Sequence, residues 1–224
     1  MGCTAVTSDW LAWQIVDSAF PVGVFAHSWG LEAAWQAGHV DGEAALSRFV
    51  AESIQQAGWG ALPLVTAAHR SPERLEELDA LNHAFLTNCV ANRASRVQGR
   101  TLAATAARVW PFAAMTELNA RAGGIRAHVA PLTGVVFRTL GLAEGVAQRA
   151  VLYGTARGIL SAAVRLGIVG SYRAQRMQHE AAAELDATLE RCRGLAVEEI
   201  CQTAPILDLL QGAHDRLYSR LFQS

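Results

Sequence analysis

The stretch LAEGVAQRAVLYGTARGILSAAVRLG, residues 142–167, decides the fold class. Val146, Ala150, Tyr153, Arg157, Leu160 and Val164 recur at three- and four-residue steps, the repeat of one face of an α-helix. The spacing predicts one long helix buried along that stripe. Gly145, Gly154 and Gly158 each cost up to about 1 kcal/mol relative to Ala in a helix interior. Their presence predicts a neighbouring helix packed close to this backbone.

The same period extends outward in both directions. Downstream, Ala174, Met177, Ala181, Leu185, Leu189 and Cys192 form the seam of an amphipathic helix over Arg173 to Cys192. The last element begins near Pro205 and carries Ile206, Leu209, Leu210, Ala213, Leu217 and Leu221. Upstream, Leu132, Val135, Val136 and Leu140 follow Pro131. Pro111 and Gly123-Gly124 bound helices around Thr101 to Trp110 and Phe112 to Ala122. Ser71-Pro72 is a start signal, a capping hydroxyl followed by a residue that loses no hydrogen bond at the first helical position. From it Leu75, Leu78, Leu81, Phe85 and Cys89 run as one stripe, and Leu46, Phe49, Val50, Ile54 and Ala57 mark a helix ahead of Gly58. No segment of useful length alternates apolar and polar residues as a half-buried strand does. The expectation is an all-α, single compact domain over residues 1–224 with about eight to ten helices.

Composition narrows the chemistry. The chain has 224 residues, 51% of them hydrophobic and 17% charged, enough apolar surface to offset chain entropy. All 19 basic residues are arginine, against 20 acidic ones. Without lysine there is no P-loop, no pyridoxal phosphate Schiff base and no kinase-type nucleotide clamp. A net charge of -1 advertises neither nucleic acid nor an acidic membrane. The longest charge-free run, Ser53 to Ala68, contains two glutamines and Pro63 and does not read as a membrane span. Cys3, Cys89, Cys192 and Cys201 form no C-x-x-C pair, so reduced thiols in the cytoplasm are expected.

No self-sufficient active site is written here. The seven histidines make neither H-x-x-x-H nor Glu-x-x-His, and there is no G-x-S-x-G or G-x-G-x-x-G. His27-Ser28 is an adjacent pair without a third group to orient it. Glu76, Glu77 and Asp79 read as a solvated helix face. The histidines at 27 and 128 stand at loop or helix-start positions, where side chains can be presented to a partner. This points to a binding or regulatory protein with no catalytic residues and no metal ligands. The competing reading is a helical metal-binding protein or metal-dependent enzyme using scattered histidines.

Three blocks carry a resemblance. Residues 13–32, WQIVDSAFPVGVFAHSWGLE, place Pro21, Gly23 and Phe25 in a turn and Ser28 before the helix bearing Glu32. His128-Val129-Ala130-Pro131 precedes the 142–167 segment with its Ser161-Ala162-Ala163-Val164-Arg165 run. The end carries Pro205-Ile206-Leu207-Asp208, His214 and Leu217-Tyr218-Ser219-Arg220-Leu221-Phe222. Together, in this order, they strongly resemble the UreF family of urease accessory proteins. Val24, in place of a small residue, and the loosely matching Gly170 to Gln175 run depart from the family pattern.

The resemblance implies an all-helical homodimer that bridges a UreD/UreH-type accessory protein and the GTPase UreG on apo-urease. It implies a role in GTP-dependent nickel insertion, with no permanently bound cofactor, nickel and GTP being handled by the partners. The partner-binding residues it suggests are Pro21, Gly23, Phe25, His27, Glu32, His128, Arg165, Tyr218 and Arg220. Phe25, Leu31, Leu217 and Leu221 are expected to be buried.

Overall fold

The computed structural model describes residues 8–22 and 26–224. Among these residues, twelve α-helices and no strand are found, so the fold is all-α as the periodicity predicts. They are α1 (Ser8–Val16), α2 (Leu31–Gln36), α3 (Glu43–Gly60), α4 (Leu62–Arg70), α5 (Leu75–Phe85), α6 (Cys89–Val109), α7 (Ala113–Gly123), α8 (Val129–Thr139), α9 (Glu144–Arg165), α10 (Ser171–Glu180), α11 (Ala182–Cys192) and α12 (Pro205–Gly212).

Helix α8 is apolar on all sides and is correspondingly enclosed, with every residue from Ala130 to Phe137 buried. It packs most extensively on α4, where Gly134 makes the approach possible: a Cβ there would overlap the Val65 carbonyl and come within 2.9 Å of the Ala68 Cβ. One apolar cluster gathers around α8, with Leu64, Leu78, Leu102, Met115 and Phe137. A second surrounds α3, with Leu46, Ile54, Leu152, Ile159 and Met177. Val151 of α9 packs against both, so α9 joins the two clusters.

Several boundaries differ from the periodic reading, each for a local reason. The stripe read through Cys89 breaks at Leu86, and Asn88 opens α6 by accepting from the Val90 and Ala91 amides at 3.0 and 3.3 Å. Helix α6 therefore starts at Cys89, well ahead of Thr101. Ser71 makes no capping hydrogen bond, and a 3-10 turn over Pro72–Arg74 leads into α5. The 173–192 seam is divided at Ala181, where ψ of -9° interrupts the helix, although Ala174, Met177, Leu189 and Cys192 are buried as expected. These extra breaks raise the helix number above the expected eight to ten.

Within α9 the helix is as predicted but its buried face is rotated. Ala147, Leu152, Ala156, Ile159, Ala162 and Ala163 face inward, while Tyr153 is exposed. The small residues win because α3 and α4 pack against this helix. Gly158 is in close contact as expected, but with the Trp29 ring and not with a helix. Gly154 faces open space.

Candidate interaction site

The N-terminal and C-terminal blocks meet around one carboxylate. Glu32, in the first turn of α2, is 2% exposed. Its Oε1 accepts from the Leu221 amide at 2.6 Å, and its Oε2 accepts from the Phe222 amide and from His214 Nε2, each at 3.1 Å. Two backbone N–H groups and an imidazole donor thus satisfy an acceptor that would be costly to bury alone. Beside it the Ser28 amide and hydroxyl donate to the Ser224 carbonyl at 2.5 and 2.9 Å, and the Gln223 amide donates to the Ala26 carbonyl at 2.8 Å. The Arg165 guanidinium lies 4.2 Å over the Phe222 ring, a cation–π contact from α9.

This clasp works because the chain leaves the helical period after α12. A 3-10 turn over Ala213–Arg216 is followed by extended backbone, with Leu217 at ψ of 136°. The expected burial of Leu221 is thereby corrected: it is 53% exposed, and Phe222 is buried in its place. Leu217 is half-buried, and Leu31 is buried as expected.

His27 and His128 are not presented at the surface. His27 Nδ1 lies 2.5 Å from the Ser224 hydroxyl, and its Nε2 is buried without a hydrogen-bond partner. Burial, with the charges of His214 and Arg93, lowers its pKa from 6.5 to about 4. The 27–28 pair is not a base and nucleophile, since His27 is engaged with Ser224. His128, at the N-terminus of α8, is fully buried, and burial is the main reason its pKa falls to about 4.

Around His128 lies a polar network that the sequence did not announce. Asp79 is 2% exposed, which corrects its assignment to a solvated face. Its two oxygens accept from the His128 amide at 2.6 Å and the Arg126 amide at 2.9 Å, holding the intervening Ala127 at φ of 65°. The signal was present: Leu75, Leu78, Asp79 and Asn82 share one helical face and are all buried. Ser95, His83 and Asn92 complete the network. Glu76 and Glu77 are exposed as expected and pair with Arg121 and Arg74, and Arg121 holds the Glu76 carboxyl below its ordinary range.

Of the remaining expected contact residues, Pro21, Tyr218 and Arg220 are exposed, and Arg220 pairs with Asp215 at 3.5 Å. Gly23 and Phe25 lie outside the described residues. Trp10 and Trp13 on α1 form an exposed edge-to-face pair that sequence reading did not single out, with centroids 4.9 Å apart. Among the described residues, no three His, Cys, Asp or Glu side chains converge to hold a metal, and no helix is long and apolar enough to cross a membrane.

Comparison with known proteins supplies the family. Urease accessory protein F of Arabidopsis thaliana is 39% identical over 222 residues, covering 96% of this chain and 92% of the relative. The protein of the same name from Oryza sativa subsp. japonica is 38% identical over 221 residues, covering 96% and 85%. A model of the UreF family matches residues 40–182. This chain belongs to the UreF family. Urease accessory protein UreF of Arthrobacter sp. (strain FB24) is 31% identical over 217 residues, covering 94% of this chain and 95% of the relative. Both halves of the Glu32 clasp lie outside the 40–182 match, so the clasp joins the flanks of the UreF core.

Proposed function

We propose that this UreF-family chain is a non-catalytic scaffold in urease maturation. It bridges a UreD/UreH-type accessory protein and the GTPase UreG on apo-urease and regulates GTP-dependent nickel insertion, as a cytoplasmic homodimer with no permanently bound cofactor. The observation that carries this reading is similarity to urease accessory proteins over 96% of the chain. The absence of lysine agrees with a division of labour in which the phosphate-gripping lysine belongs to the GTPase. The exposed clasp residues Tyr218, Arg220 and Leu221 supply an aromatic, an arginine and an apolar group, types suited to an interface anchor.

Co-purification tests the proposal. The folded chain is expected to capture a UreD-type protein, and the resulting complex to capture UreG. A Tyr218→Ala/Arg220→Ala double variant is expected to retain the fold and lose at least tenfold in capture of one partner. Failure of the well-folded parent chain to bind either partner would overturn the reading.

A further inference from the structure

Charge is unevenly shared over this nearly neutral chain. Residues 80–143 hold seven arginines and a single carboxylate, Glu117. Helix α6 takes four of them, Arg93, Arg96, Arg100 and Arg108, and has no aspartate or glutamate in its 21 residues. Arg93, Arg96 and Arg100 follow steps of three and four, so they share one face, with Val97 among them 42% exposed. Like charges at such steps weaken a helix, so the spacing works against folding. Arginines on other faces, such as Arg70, Arg121 and Arg173, each meet a glutamate. On α6, among the described residues, Arg96, Arg100 and Arg108 form no ion pair, and the buried Nε of Arg96 has no acceptor.

A carboxylate that does reach this face shows the chemistry it takes. Asp215, from the 3-10 turn after α12, sits on Arg93 with its two oxygens at 3.0 and 2.7 Å from the guanidinium nitrogens. That is the two-pronged pairing in which arginine and carboxylate match best. Between the arginines, Val97, Thr101 and Ala104 keep the face low and partly apolar, as the centre of a protein interface is within a charged rim. A net charge of -1 over the chain offers no wider attraction for a phosphate polymer. From Arg93 to Arg108 the helix rises roughly 22 Å, the length of about four helical turns. Carboxylates on one side of a second helix repeat at the same three- and four-residue steps.

We propose that the outer face of α6 docks an acidic helical segment of a partner protein. Its carboxylates sit on Arg96, Arg100 and Arg108, and a small apolar side chain sits on Val97. Arg93, held by Asp215, closes the end of the face beside the C-terminal segment. The inference names the chemistry of a surface and does not rest on the urease role. Its test uses no urease protein, so it can fail while the co-purification result stands, and the reverse.

Fluorescence anisotropy on the full chain tests this with a labelled alanine-based helical peptide carrying glutamate at every fourth residue over four turns. Binding is expected at low salt and is expected to weaken at least fivefold at physiological ionic strength. The same peptide with glutamine in place of glutamate is expected not to bind. Arg100→Glu/Arg108→Glu, at exposed positions, is expected to lose at least tenfold in affinity. Arg48→Glu/Arg176→Glu makes the same change in net charge at exposed positions on α3 and α10 and is expected to lose less than threefold. Equal losses in the two double variants would show attraction by overall charge alone and overturn the proposal. Equal affinity for the glutamate and glutamine peptides, or no binding of either by the parent chain, overturns it as well. Tighter binding of a single-stranded RNA than of the acidic peptide reassigns the face to nucleic acid. Should the charge-reversed variant fail to fold, Arg100→Gln/Arg108→Gln decides, with at least threefold weaker binding expected and parent affinity overturning the assignment.

Discussion

His27 and His128 are 4% and 0% exposed, and each has its pKa lowered from 6.5 to about 4, chiefly by burial. A histidine whose folded pKa is depressed binds fewer protons folded than unfolded. Its penalty is absent above about pH 6.5 and grows as pH falls toward 4, when the unfolded chain takes up the proton and the folded one does not. Stability is therefore expected to fall by on the order of 1 kcal/mol for each histidine by pH 5. The carboxyl of Asp215, held low by Arg93, adds its loss only at more acid pH. Histidine C2–H titration checks the assignment: neither ring should titrate above about pH 5, and a midpoint near 6.5 for both would refute it. At this scale the sequence showed where a histidine or aspartate stood. It could not show that His128 and Asp79 face inward, because that depends on α6 closing over α5 and α8.

At the scale of the element, periodicity located helices better than their faces. The 142–167 segment is a helix because its residues propagate one, but the buried side is the one rich in alanine, where α3 and α4 approach. Paired glycine substitutions separate the two effects. Gly134→Ala puts a methyl group against the Val65 carbonyl and is expected to cost about 1–3 kcal/mol in urea unfolding. Gly154→Ala meets nothing within 4 Å and is expected to gain about 0.5–1 kcal/mol from helix propensity alone. Equal effects at the two sites would contradict the α4–α8 contact described here. The break at Asn88 also belongs to this scale. Its amide joins α6 to α12 by donating to the Asp208 carbonyl at 2.7 Å, a tie across 120 residues that local pattern cannot contain.

For the whole molecule, the decisive contact is the closure of the C-terminal strap on α2. Glu32→Gln retains the shape but leaves one acceptor oxygen and a misplaced donor for three incoming N–H groups. The expected cost is about 1–3 kcal/mol, concentrated in the strap. Trypsin should then cut after Arg216 and Arg220 at least tenfold faster, while the apolar clusters around α8 and α3 keep their amide protection. Unchanged cleavage would show that Phe222 and Arg165 hold the strap without Glu32.

The amino-acid sequence by itself determined the all-helical class, through a 3.6-residue apolar period that needs no knowledge of neighbours. It also carried the UreF resemblance in three ordered blocks and excluded lysine-dependent chemistry. Tertiary structure alone decided that Glu32 and Asp79 are interior acceptors, that Phe222 and not Leu221 is the anchor, and that Ser95, His128 and His83 form a line. The physical reason is range. Helix formation is settled by residues three and four apart, whereas burial of a polar side chain is settled by hydrogen-bond partners that arrive from up to 197 positions away.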